Sequence, residues 1–218
     1  MMNFETNERG GWIVPDGTTL PYGTVVPAYS VLGDRCKLGN VCTLGDECKL
    51  GDECKLGNWC KLGDRCKLGN VCTLGNVCTL GDECKLGNWC KLGDRCKLGN
   101  VCTLGNWCTL GDECKLGNWC KLGDECTLGD RCALGNGCAL GNGCELEGIR
   151  AKRWMTAANI DGTGRQILIV WGGKQTVIRA GCFKGTPEQF AEKAASEGKH
   201  IYARVIPAMV AALIGGDA

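Results

Sequence analysis

The chain holds one histidine, His200, in 218 residues. That scarcity excludes chemistry needing several imidazoles, a three-histidine zinc site above all. An excess of one charge is also missing, since 25 basic and 24 acidic residues leave a formal net charge of +1. A chain so balanced is not expected to bind nucleic acid through its overall field. No run of eighteen apolar residues occurs, and residues 1–11 are too polar for a secretory leader. The expectation is therefore a soluble, cytoplasmic chain with no membrane partner. What abounds is glycine, at 35 residues, and cysteine, at 20. In a secreted protein that cysteine count would suggest a disulfide framework. Here the spacing points elsewhere, because both counts come from one repeated unit.

From Leu32 the sequence runs LGDRCK, LGNVCT, LGDECK and onward in step to Glu145, with cysteine at every sixth position from Cys36 to Cys144. The frame also extends backwards. Val14, Leu20 and Val26 take the leucine place, and Thr18, Thr24 and Ser30 take the cysteine place. Internal periods of this kind signal a solenoid.

The pattern resembles the hexapeptide-repeat family, with its aliphatic residue, following glycine and small residue two places before the next aliphatic. The resemblance covers residues 14–148. It implies a mainly β fold, a left-handed parallel β-helix of triangular section with 18 residues per coil and about seven coils. Residues 1–13 are expected to form an N-terminal cap, and 149–218 a small C-terminal α+β domain of a hairpin plus two helices. Gly-Asn and Gly-Asp pairs are expected to turn the corners, where glycine and asparagine tolerate positive φ.

Eighteen residues per coil can be checked within the sequence. Read at that step, the variable fourth place of the unit gives the columns Arg35, Glu53, Val71, Trp89, Trp107, Glu125 and Val41, Trp59, Val77, Arg95, Glu113, Arg131. The third is Glu47, Arg65, Glu83, Val101, Trp119. Wherever two neighbours in a column are both charged, they are opposite in sign. Tryptophan and valine fall on tryptophan and valine. Cross-strand pairs of this kind are each worth roughly 0.2–1 kcal/mol. Steps of twelve or twenty-four lose the complementarity. The same step stacks Lys49, Lys67 and Lys85, and also Asp46, Asp64 and Asp82. A cation on that acidic row is the minor alternative to solvent screening.

The cysteines admit two readings: a thiol array for metal or redox chemistry, or a core ladder of small apolar groups. Uniform six-residue spacing lacks the close pairs that converge four sulfurs on zinc. Stacked cysteines would stand ~4.8 Å apart with parallel Cβ vectors, poorly placed for a disulfide. The expectation is a structural core ladder such as Cys36, Cys54, Cys72, Cys90, Cys108, Cys126 and Cys144, with no metal ligand among them. The units also recur in blocks of five, at 32–61, 62–91 and 92–121. Thirty residues are not a whole number of coils, so Trp59, Trp89 and Trp119 fall in different columns and no single face keeps one chemistry.

Many hexapeptide-repeat proteins are acyltransferases with a histidine base between coils. His200 lies outside the repeat, so no catalytic residue and no cofactor site is assigned, and an acyltransferase remains the disfavoured alternative. The expected function is a non-enzymatic structural or interaction protein. A protein partner, a host factor among them, or self-association is the partner class left open.

Beyond Leu146 the composition changes. Gln166–Trp171 and Gln175–Ala180 read as a hairpin across Gly172-Gly173-Lys174. Thr186-Pro187-Glu188-Gln189 is a capping box opening a helix to about Glu197, with Gly198 as its stop. Ile201, Val205, Met209, Val210 and Leu213 suggest a second amphipathic helix, kinked or started late by Pro207. This stretch resembles the tail of uncharacterised phage and prophage repeat proteins, which carry a Gly-Cys-Phe-x-Gly-Thr motif and a phenylalanine in the following helix. Gly181, Cys182, Phe183, Gly185, Thr186 and Phe190 match it, and the resemblance supplies no activity. The segment is read as a cap on the open β-helix end, or as a binding module.

Overall fold

Lysine or threonine at the sixth place and leucine at the first point to opposite faces of an extended chain. A strand of only these two residues therefore puts one side chain in solvent and one in the interior. The computed structural model describes residues 4–135, 137–158, 160, 166–180 and 183–215. The chain divides into two units, residues 1–144 and 145–218.

In the first unit β1 is Glu5–Thr6, β2 Trp12–Val14, β3 Thr19–Leu20 and β4 Val25–Val26, and two-residue strands then recur every six residues, from β5 (Val31–Leu32) to β23 (Ala139–Leu140). Every third strand pairs in parallel, so that Lys61 and Leu62 lie between Thr43 and Leu44 on one side and Thr79 and Leu80 on the other. The result is a parallel β-solenoid of three sheets and about seven turns with the expected 18-residue coil. Leucine and cysteine fill its interior. Leu80 and Leu104 are 1 % exposed, and every cysteine from Cys36 to Cys126 is 0 % exposed.

The corners are built differently from the expectation. Positive φ falls on the fourth residue of the unit, at Arg35 (57°), Trp59 (64°) and even the β-branched Val41 (62°) and Val101 (59°). The preceding glycines from Gly33 to Gly135 are not in that region. Their need is steric instead. A Cβ on Gly69 would lie 2.2 Å from Asp52 Oδ1 and 2.7 Å from the Gly51 carbonyl carbon, in the coil below. The aspartate or asparagine that follows serves the stacking too. Asp46 Oδ1 accepts the Asp64 N–H at 2.8 Å, and Asp64 Oδ1 accepts that of Asp82 at 2.8 Å. The strained fourth residue donates its own N–H upward, as Arg35 does to Asp52 O at 2.8 Å. Backbone bonds from both coils thus fix a conformation that valine would otherwise avoid.

The second unit begins with β24 (Glu145–Leu146) and β25 (Ile149–Arg150), an antiparallel hairpin. Its two-residue turn has Glu147 at φ 53° and Gly148 at φ 75°, both positive as the tight primed turn requires. A four-stranded antiparallel sheet follows: β26 (Arg153–Ala158), β27 (Gln166–Trp171), β28 (Thr176–Ala180) and β29 (Phe183–Gly185). The expected hairpin is β27–β28. Helices α1 (Pro187–Ser196) and α2 (His200–Ile214) complete the unit. Ile167, Ile169 and Ile178 of the sheet form one core with Phe190, Tyr202 and Ile206 of the helices.

Two features of α2 correct the expectation. It starts at His200 and runs through Pro207, so proline does not delay it. Its buried face is Tyr202, Ile206, Val210 and Leu213, while Ile201 is 42 % exposed. The rows starting at Ile201 and Tyr202 are both apolar, and turning by one residue buries the larger aromatic ring.

Candidate functional site

The thiol ladder is the most chemically distinctive feature of the chain, and the backbone accounts for it. Each cysteine lies one place before a strand, with its side chain inside the corner. From there the Sγ meets the carbonyl oxygen 21 residues earlier. Cys54 reaches Gly33 O at 3.3 Å, Cys72 reaches Gly51 O at 3.3 Å and Cys90 reaches Gly69 O at 3.3 Å. Cys108, Cys126 and Cys144 repeat the contact at 3.3, 3.2 and 3.3 Å, and Cys36 uses Pro15 O at 3.3 Å. Only a protonated thiol can donate to a carbonyl, and a thiolate there would face the negative end of the C=O dipole. Burial pushes the Cys36 and Cys42 thiols up from their ordinary value. The nineteen ladder cysteines are free, without disulfides. Among the described residues no group of three or more histidine, cysteine or acidic side chains is arranged to hold a metal ion. On the acidic row, the Oδ1 atoms of Asp46, Asp64 and Asp82 accept backbone N–H groups. Buried neutral thiols with their hydrogens engaged are poor nucleophiles.

Outside, the fourth-place columns pair as their sequence suggests. Arg65 meets Glu47 at 3.3 Å, and Glu113 takes both Arg95 (3.1 Å) and Arg131 (3.5 Å). Trp89 and Trp107 stack with ring centroids 5.1 Å apart and planes 6° from parallel. Near the start of the solenoid Glu47 also holds Arg9 at 3.1 Å, and the Arg9 guanidinium lies 3.7 Å from the Tyr29 ring centroid. These are solvated networks on a rigid frame. Each pair is worth at most about 1 kcal/mol.

In the second unit the Gly-Cys-Phe-x-Gly-Thr stretch is seen only in part, since Gly181 and Cys182 lie outside the described residues. The rest of the motif builds the β29–α1 junction. Thr186 Oγ1 accepts the Gln189 N–H at 3.3 Å, and Gln189 Oε1 accepts the Thr186 N–H at 2.9 Å, closing the expected capping box. Gly185 is required by that closure, for a Cβ there would sit 2.6 Å from Gln189 Oε1 and 2.7 Å from Phe183 Cζ. Phe183 packs edge-on to Phe190 at 5.2 Å, and Phe190 to Tyr202 at 6.2 Å. A shallow cleft opens beside these rings, floored by Ala180, Phe183, Phe190 and Ala194. On its rim Glu197 pairs with Lys193 at 3.1 Å and with Lys199. Those two ammonium groups, Lys199 foremost, pull the Glu197 carboxyl down to about 2. His200 is exposed at the start of α2.

One cluster carries no local sequence signal. Glu147, in the tight β24–β25 turn, is buried and accepts two hydrogen bonds from Arg179 on β28, both at 3.0 Å. Lys184 on β29 adds a third contact at 3.2 Å. A carboxylate so engaged pins the β24–β25 turn to β28 and β29. Comparison with protein-family models, with curated proteins and with solved structures gave no match to this chain. Among the described residues no helix is long and apolar enough to cross a membrane.

Proposed function

We propose that the chain is a non-catalytic scaffold, a rigid rod of hexapeptide-repeat type that presents or spaces a partner, with the C-terminal unit serving as cap or binding module. One observation carries the reading. Along the repeat, the thiols are taken up by carbonyls of the coil below, and the corner carboxylate and amide oxygens by backbone N–H groups of the coil above. Seven coils at the strand spacing give a length of ~35 Å. The partner would meet the outward columns, where Trp59 and Trp119 are 58 % and 64 % exposed on a backbone already ordered by stacking, which lowers the entropic cost of binding. The resemblance of the motif from Gly181 to Phe190 to the C-terminal segment of phage and prophage repeat proteins supports a phage or prophage setting, with action in the bacterial cytoplasm or on a virion.

Thiol accounting with metal analysis tests the scaffold reading directly. The eighteen buried ladder thiols should be silent to a thiol reagent in the native protein, while Cys138 is partly exposed, and all nineteen should react once it is unfolded, with no metal released. Buried ladder thiols that react in the folded protein, are missing altogether, or release metal in stoichiometric amount would make the ladder functional. Saturable acetyl transfer from acetyl-CoA would overturn the non-catalytic reading separately.

A further inference from the structure

The first coil differs from the later ones at the second place of each of its three units. Where later units carry glycine second, it carries Pro15, Pro21 and Pro27. The later glycines show what this place does. Their N–H groups donate downward, Gly33 to Val14 O at 2.8 Å, Gly39 to Leu20 O at 2.9 Å and Gly45 to Val26 O at 2.9 Å. They also admit the coil below, because a Cβ would lie 2.7 Å from Asp16 N, 2.7 Å from Tyr22 N and 2.5 Å from Ala28 N respectively. Proline reverses both properties. It has no N–H to donate and carries a ring where the next backbone would pass.

The fifth place changes with it. Later cysteines reach down to a carbonyl of the coil beneath, as Cys36, Cys42 and Cys48 do to Pro15, Pro21 and Pro27 at 3.3, 3.2 and 3.2 Å. The first coil has no coil beneath to reach. It carries Thr18, Thr24 and Ser30, whose hydroxyls turn back onto the same three carbonyls at 2.6, 2.8 and 2.8 Å. The remaining sheet edge, at β2, is covered by β1 running antiparallel to it.

We infer that the first coil is a terminating surface, built to refuse a further coil or a β-strand from another chain on its lower edge. An open parallel edge is a template for such addition, and here three prolines interrupt the lower edges of the first coil while the antiparallel β1 takes the place of a parallel neighbour on β2. The device leaves the long faces as the surfaces open to partners.

The test inserts a copy of residues 32–49, one whole coil, between Ile13 and Val14 of the full chain, which keeps the six-residue frame. One version retains the prolines and the other carries P15G, P21G and P27G together. Hydrogen exchange of the inserted segment is then measured. The inserted amides should exchange at least about tenfold more slowly in the glycine version, as in a stacked coil, and freely in the proline version. Equal protection in both versions, or exposure in both, would overturn the inference. Should the triple variant fail to fold, P21G and P27G are made singly, and protection is expected to rise stepwise on the sheet whose proline was removed.

Discussion

At the scale of single residues, spacing and tolerance have to be told apart. The cysteine ladder was legible because a side chain that recurs every six residues keeps one orientation in every coil. Gly69 shows the limit of that reading. Its sequence signal, glycine before a polar residue, suggests positive φ, yet the structure uses it for close approach and shifts the strain onto Val71 (59°). Nothing in an arginine, tryptophan or valine announces a left-handed backbone, because neighbouring coils impose it. The strain is accessible to experiment. Val101 sits at φ 59° and is 51 % exposed. An L-residue there gives up about 1–2 kcal/mol, and asparagine visits the region more readily than a β-branched side chain. Val101→Asn should therefore stabilise the protein by about 1 kcal/mol, raising the thermal midpoint by roughly 2–4 °C. A lower midpoint would mean that valine's packing against its column neighbours outweighs its backbone strain.

At the scale of elements, local chemistry was readable and distant pairing was not. The capping box at Thr186 and Gln189 and the β27–β28 hairpin each lie within a few residues of sequence. β26, with the sequence RWMTAA, has no period-two pattern to mark it, and β29 is too short to show one. The Glu147–Arg179 pair is 32 residues apart, and only the fold brings it together. It is also where the second unit is most sensitive. Glu147 has a side chain 2 % exposed, and both of its oxygens are held by Arg179. Removing the guanidinium strands a buried carboxylate with Lys184 alone. Arg179→Met should cost about 3–5 kcal/mol. Glu147→Gln with Arg179→Met, which removes both charges, should recover much of that loss. Denaturant melts of the single and double variants measure the coupling. Additive losses would show that the pair is not a unit. Thr186→Ala, by contrast, removes one cap contact and should cost only about 1 kcal/mol.

At the scale of the whole molecule, the eighteen-residue coil was legible because charge complementarity along the columns works at only one step. The Arg65–Glu47 and Arg95–Glu113 contacts are that complementarity made physical. The columns do not by themselves reveal the protonation of the interior, and that property governs how the molecule responds to pH. Burial raises the folded-state pKa of Cys36 and Cys42 above the ordinary thiol value. Both side chains are 0 % exposed, so solvent screening does not offset the effect. In the unfolded chain the same thiols titrate near ~8.5. Their contribution is therefore fully present below that pH. Above it the unfolded state gives up protons that the folded state keeps, and stability falls until the folded thiols ionise in turn. Each thiol that titrates in this way steepens the loss by about 1.4 kcal/mol per pH unit. The midpoint of urea unfolding, measured under reductant, should be nearly level from pH 6 to 8 and drop steeply by pH 9.5. A C36S/C42S variant, whose hydroxyls do not titrate there, should drop less steeply. A midpoint that rises towards pH 8.5 would mean that the thiols are already ionised in the folded protein, and one level through pH 9.5 that they are bridged or metal-bound; either way the ladder would be chemistry instead of core.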